Sequence, residues 1–155
     1  MDKLKPIGKD GVDFINIYSK GKTDLGKYLT NWATQDIQIS IGKFKSIEGL
    51  IFFLGSFDNE LRSLSGFKAK KRGEELDRGI RLPEDVFRGY IKEAMRDVAK
   101  QLAITPGIIR TTAYKVTDHN LPLVHYYEYG DKRVVPKKWL WQVEAWEQIL
   151  KEEFK

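Results

Sequence analysis

Apolar residues set four apart, Val86, Tyr90, Ala94, Val98 and Leu102, restrict this chain more than any other feature. The spacing returns each side chain to one side of an α-helix, so it predicts a long helix with one face to bury. Pro83 suits the first helical turn, where its missing N–H is no loss, and Glu84 and Asp85 suit the positive end of the helix dipole. Such a stripe demands covering elements, and 155 residues can supply them within one domain spanning 1–155.

The rest of the sequence offers short elements of both kinds. "VDFINIY", residues 12–18, predicts a strand marked by Val12, Phe14 and Ile17. "GKTDLGKYLTNWATQ" reads as loop with room for a short helix. In "DIQISIGKFKS" the side chains alternate, with Ile37, Ile39 and Ile41 opposite Gln38 and Ser40, and Gly42-Lys43 is the expected turn. Ser46 then caps a helix expected from Ile47 to Phe57, which buries Ile47, Leu50, Ile51 and Leu54. A shorter helix follows near 59–64, and Thr105-Pro106 starts another ahead of Ile108 and Ile109. "LPLVHYYEYGDKRVVP" reads as two strands around Gly130-Asp131. The last helix places Trp139, Val143, Trp146 and Leu150 on one face, with Trp141 off it. The expected class is α+β: a mainly helical single domain with a few short antiparallel strands.

Composition narrows the chemistry. A hydrophobic fraction of 41% with 12% aromatics is that of a folded chain. No apolar run approaches the ~20 residues of a membrane span. "MDKLKPIGKDG" carries no signal-peptide stretch, so a cytoplasmic protein is expected, with no membrane partner. The absence of cysteine excludes disulfides, thiolate nucleophiles and Cys-based zinc sites, and two histidines argue against a His-rich metal site. No metal is expected. A net charge of +5 favours an anionic partner: phosphate, nucleotide or nucleic acid.

Glu48 stands in the first turn of the helix predicted at 47. As a structural residue it favours the positive end of the dipole, by about 0.3–1 kcal/mol. As a working residue it is a carboxylate beside a strand end, suited to acid–base catalysis or to an oxocarbenium-like centre. Asn31 and Trp32, in "YLTNW", can read and stack a base or nicotinamide ring, or serve as a turn residue and a core plug. "FKAKKRGEELDRGIR" holds Lys68, Lys70, Lys71, Arg72, Arg78 and Arg81 among Glu74, Glu75 and Asp77. It reads either as solvated, locally paired helix or as a phosphate clamp with Gly73 ending a helix; its spacing is not that of a P-loop. Tyr126, Tyr127 and Tyr129 fit a binding face or a strand. His119 and His125 show no Ser-His-Asp pattern and are read as structural.

In order, these pieces resemble the NADAR superfamily, named for NAD and ADP-ribose. "TNW" resembles the family's "SNF", and "FKSIEGLIFFL" resembles its serine/threonine–x–glutamate helix start. "AKKRG" resembles its "AK-x-x-G" segment, and "EAMRDVAKQLA" resembles its Met-bearing long helix. The match spans about residues 28–103. The resemblance implies a NADAR-like fold and hydrolysis of N-glycosidic bonds in ribose-phosphate compounds, with a ribose-phosphate or ADP-ribose-containing small molecule or adduct as partner. It implies Glu48 as the catalytic acid, Asn31 and Trp32 at the base or ribose, and Lys70 at the phosphates; Arg72 lies in the same basic run and is a candidate for the same anion. No cofactor is implied. Five features depart from the pattern: Gly49 and Phe52 replace the family's His and Gln, Gly55 its Lys and Glu74 its Arg, and the Trp often found before its long helix is absent, with Phe87 the nearest aromatic.

Two other classes stay open. Gly49 and Phe52 favour a non-catalytic nucleotide or ADP-ribose binder using the same pocket. The charge and the tyrosines favour a small nucleic-acid-binding or inhibitor protein, of the kind a phage or other mobile element carries, although no known nucleic-acid motif is present. The leaving group and the oligomeric state are not written in the sequence.

Overall fold

The computed structural model describes residues 1–155. In chain order the elements are β1 (Ile15–Asn16), α1 (Asp24–Tyr28), β2 (Ile37–Ile39), β3 (Gly42–Phe44), α2 (Ile47–Phe53) and a 3₁₀ turn (Asn59–Ser63). Next come α3 (Gly66–Glu75), α4 (Glu84–Ala103), α5 (Ile108–Asp118), β4 (Leu123–Val124), β5 (Tyr127–Tyr129), β6 (Lys132–Val134), a second 3₁₀ turn (Lys137–Trp139) and α6 (Leu140–Glu153). The class is α+β and mainly helical, as expected. The chain divides into two compact units, one of residues 1–30 with 99–155, the other of Asn31–Val98.

In the first unit, β1 pairs with β4, Ile15 opposite Leu123 and Asn16 opposite Val124. This pair is parallel, whereas β2–β3 and β5–β6 are antiparallel as expected. Two-residue strands form few ladder bonds, and Asn16 extends the ladder with its side chain. Its Oδ1 accepts the Tyr126 N–H at 3.0 Å, and its Nδ2 donates to the Tyr126 carbonyl at 3.1 Å. A buried amide is thereby satisfied as though it were another peptide group. Phe14, Val124 and Tyr126 pack as one cluster, with the Phe14 and Tyr126 rings edge to face at 5.8 Å. The Arg133 guanidinium lies over the Tyr126 ring at 4.8 Å. α5 packs on α1 and α6, and α6 packs on β4.

In the second unit, α2 packs against α3, β3 and the 3₁₀ turn. α4 binds the β2–β3 hairpin through carboxylates: Asp97 accepts the Gln38 N–H at 2.9 Å, and Glu93 accepts the Ser40 N–H and hydroxyl at 2.6 and 2.8 Å. Backbone donors that an open strand edge leaves unpaired are met by helix side chains.

Several boundaries differ from expectation for local reasons. The first strand is only two residues, and Val12 is 68% exposed rather than inward. The β2–β3 turn falls at Ser40-Ile41, and Gly42 opens β3. α2 ends at Phe53 instead of Phe57: the Gly55 and Ser56 N–H groups bond only three residues back, to Phe52 O and Phe53 O, each at 3.1 Å, and Phe57 then enters the left-handed region (φ 54). In α4 the buried stripe is Ile91, Ala94, Met95, Val98 and Leu102; Val86 is exposed and Tyr90 half-buried, since the covered face alternates steps of three and four. Trp139 belongs to the 3₁₀ turn before α6, while Val143, Trp146 and Leu150 form the buried face as predicted. The Gly130-Asp131 hairpin is present, with Gly130 at φ 63, where only glycine sits without strain. No helix is long and apolar enough to cross a membrane.

His125 follows β4, its Nδ1 at 2.5 Å from the Ile17 carbonyl, which can only accept, so Nδ1 carries the proton. Burial holds its basicity below the ordinary value of 6.5, the carbonyl partly opposing the shift. A base whose folded pKa is depressed binds fewer protons folded than unfolded. Its contribution is therefore complete above about pH 6.5 and is lost as pH falls through the lower folded value. Urea unfolding between pH 7.5 and 5 is expected to show stability falling with acidity, with a smaller fall in His125→Gln. An equal fall in the variant would remove this assignment.

Candidate functional site

The helix start at Ile47 is built by Ser46. Its backbone is extended (φ −161, ψ 158), and its Oγ accepts the Gly49 N–H at 2.9 Å while donating to the Leu64 carbonyl at 2.8 Å. One serine thus caps α2 and anchors the chain that leaves the 3₁₀ turn. Glu48, half-buried in this first turn, directs its backbone N–H to the Asn31 carbonyl at 2.8 Å. The next carbonyl, that of Trp32, accepts the Gly66 N–H at 3.1 Å, at the start of α3. Successive carbonyls of "NW" therefore receive the first-turn donors of two helices, groups that a helix leaves without internal partners. Thr34 Oγ1 to Ser65 Oγ (2.9 Å) and Gln35 N–H to Lys45 O (2.7 Å) hold the remainder of the loop. The structure thus joins Asn31, Trp32 and Glu48 at one place. Trp32 is 37% exposed, so it is not the buried core plug that the sequence also permitted.

The two basic candidates part company. Lys70 lies four residues after Gly66, on the face of α3 that Gly66 shares, and is exposed. Arg72, two residues on, faces elsewhere. Its Nε donates to Glu60 at 2.7 Å and its Nη1 to Glu75 at 3.2 Å, and these carboxylates raise its pKa further. Arg78 pairs with Asp58 at 3.0 Å and Arg81 with Asp77 at 3.5 Å. Much of the charge in the run is therefore paired, at Arg72 on α3 and at Arg78 and Arg81 in the coil that follows it.

Gly73 does not end a helix: α3 continues to Glu75. Instead Gly73 is buried, and a Cβ there would overlap the Phe52 ring. At Gly49 a Cβ would overlap the Leu61 carbonyl oxygen. The aromatic at 52 and the missing side chain at 49 are accordingly packing features, where the resembled family carries polar groups. The Gly55 carbonyl accepts the Ile80 N–H at 3.3 Å, and Glu74 is exposed.

Arg62 is the residue that sequence reading passed over. Its guanidinium lies 4.7 Å from the Phe44 ring centre and 4.4 Å from that of Phe53, and donates to Ile41 O (2.8 Å) and Asn59 Oδ1 (2.9 Å). It binds the β2–β3 hairpin and the 3₁₀ turn to the underside of α2. A lone Arg in a short polar helix carries no periodic signal that marks it. No three His, Asp or Glu side chains are grouped as a metal ion requires.

No protein-family model matches this chain, and no curated protein sequence does. A solved structure does match: the NMR structure of the E. coli protein YbiA, with TM-score 0.59 and 21% identity over 99% of this chain and 95% of that one. This chain shares its fold with YbiA. The likeness supports the NADAR-like architecture that the sequence resemblance implied. It holds for the fold, and the assignment of chemistry rests on the residues themselves.

If Gly73 exists to admit Phe52, the two positions are coupled. Gly73→Ala alone is expected to cost about 1–3 kcal/mol in urea unfolding, the usual range for overpacking. In a Phe52→Ala background the added cost is expected to shrink to a fraction of that, a non-additivity that contacting residues show. Additive effects would separate the two positions.

Proposed function

We propose that the protein is an N-glycosidase-like hydrolase acting on a base or amine linked to ADP-ribose or ribose phosphate, with Glu48 as its acid. The observation that carries this reading is the Glu48 N–H to Asn31 carbonyl bond, which fixes a half-buried carboxylate beside an Asn and an exposed Trp. In this reading Trp32 stacks on the base and Asn31 reads its polar edge. As the C1′–N bond lengthens, positive charge grows on the ribose and electron density on the departing nitrogen. A carboxylic acid at Glu48 donates its proton to that nitrogen, or as carboxylate it stabilises the ribosyl cation until water adds. Lys70 serves the phosphates, holding the ribose in place so that binding energy orients the bond to be broken. Arg72 takes no part while Glu60 and Glu75 hold it. The mechanism calls for no metal or redox cofactor.

A second reading has an observation of its own. Gly49 and Phe52 occupy with packing the positions where the family carries polar side chains, which favours a binder that has kept the architecture and not the reaction.

Glu48→Gln separates the readings. Its backbone N–H and helix start are unchanged, so the melting temperature is expected to stay within about 3 °C of wild type, the scale of a lost dipole interaction of up to ~1 kcal/mol. Release of base from ADP-ribosylated or ribose-phosphate substrates is expected to fall about 10²–10⁴-fold. Binding to ADP-ribose without turnover by the wild type would establish the second reading. Loss of stability with no activity to lose would leave Glu48 as a helix-start residue only.

A further inference from the structure

The basic residues between 68 and 88 divide into two kinds. Every arginine there is paired with a carboxylate: Arg72 with Glu60 and Glu75, Arg78 with Asp58, Arg81 with Asp77, and Arg88 with Glu84. The lysines, Lys68, Lys70 and Lys71, are all exposed and form no ion pair. Phe67 stands among them, 64% exposed at the second position of α3. Helix geometry sets their order. Phe67, Lys70 and Lys71 fall at i, i+3 and i+4 on one outer face, Lys68 flanks it, and the opposite face buries Ala69 and Gly73. The Gly66 N–H to Trp32 carbonyl bond ties the loop that carries the second exposed aromatic to the start of this helix. Glu74 closes the band at its C-terminal end with the opposite charge.

Aromatic rings interleaved with unpaired lysines suit one chemistry well. Bases stack on rings without regard to sequence, and lysines meet the phosphates between them. An acidic protein partner would use the lysines but leave a half-exposed Trp and a largely exposed Phe without purpose. A lipid surface would take the lysines and Phe67, yet a loop Trp bonded down by its backbone is poorly placed to insert.

We propose that the outer face of α3, from Trp32 across Phe67 to Lys68 and Lys71, binds single-stranded nucleic acid. The band shares Trp32 and Lys70 with the site proposed above, but it does not depend on glycosidic cleavage. It makes Phe67 a stacking residue and Lys68 and Lys71 phosphate contacts.

The test uses the full chain and a fluorescein-labelled single-stranded dodecamer of unmodified thymidines, followed by anisotropy at 50 and 200 mM salt. With about three phosphates neutralised and a slope near −0.7 per contact, wild-type affinity is expected to fall about 20-fold over that range. Phe67→Ala is expected to weaken binding about 5–150-fold, the range for one lost base stack. The triple variant Lys68→Gln, Lys70→Gln, Lys71→Gln is expected to abolish most of the salt dependence. Lys137→Gln, Lys138→Gln, Lys151→Gln removes the same charge elsewhere and is expected to change affinity by less than about twofold. Melting temperatures check that each variant is folded. Absence of wild-type binding, equal loss in the two triple variants, or Phe67→Ala binding as wild type would each overturn the proposal. So would equal competition by a mononucleotide, which would assign the face to a single nucleotide. The dodecamer carries no ADP-ribose, so strand binding is read without any cleavage, and failure of the hydrolase reading and failure of the strand reading give different results.

Discussion

Two consecutive peptide carbonyls, those of Asn31 and Trp32, organise the second unit. Each accepts a first-turn N–H from a different helix, Glu48 of α2 and Gly66 of α3. Donors at helix starts have no partner within the helix, so whatever receives them also decides where the helices begin relative to each other. Here the receiver is a loop that also carries the exposed Trp. The position of the carboxylate, the exposure of the ring and the direction of the lysine-bearing helix therefore follow from one short stretch of backbone. Side chains near the loop can vary while this arrangement persists, because the bonds that make it are main-chain to main-chain.

The same unit shows how closely packing is matched between neighbouring positions. Phe52 fills the space over Gly73, and Gly49 lets the 3₁₀ turn come close to α2. Each substitution fits only with its neighbour: a bulky ring needs a residue without a side chain opposite, and a close backbone approach needs the same. Polar groups carried by the resembled family at 49 and 52 would meet a carbonyl oxygen at one position and a crowded helix contact at the other. The carboxylate at 48 is untouched by this exchange, since its placement depends on the Ser46 cap and the Asn31 carbonyl. The packing around residue 48 and the bonds that place its backbone are thus separately encoded.

Much of the architecture was legible because it is periodic. The long helix, the Ser46 cap, the hairpin around Gly130 and the buried face of α6 all follow from spacing and turn chemistry. The misjudged details share a cause: they depend on contacts distant in sequence. Nothing local announces that Asn16 will pair with Tyr126, that β1 will run parallel to a strand more than a hundred residues away, or that Phe57 will turn left-handed. Among the candidate residues, Glu48, Asn31 and Trp32 were picked out by their order along the chain, and the fold brings the Asn31–Trp32 stretch against the start of α2. That Arg72 would be held by Glu60, and that Gly73 would lie inside a helix against Phe52, required the fold.

The parallel pairing of β1 with β4 has a consequence for the order of events during synthesis. The unit of residues 31–98 is contiguous, so every contact within it is available once its own segment has left the ribosome. The other unit is split, and Ile15 and Asn16 have no strand partner until Leu123 and Val124 emerge. Through that interval Phe14, Ile15 and Ile17, all buried in the finished protein, belong to a nascent chain without their cover. Transiently exposed apolar segments of this kind attract one another and the chaperones that bind them. The first strand thus stays without its partner until about four fifths of these residues have been made.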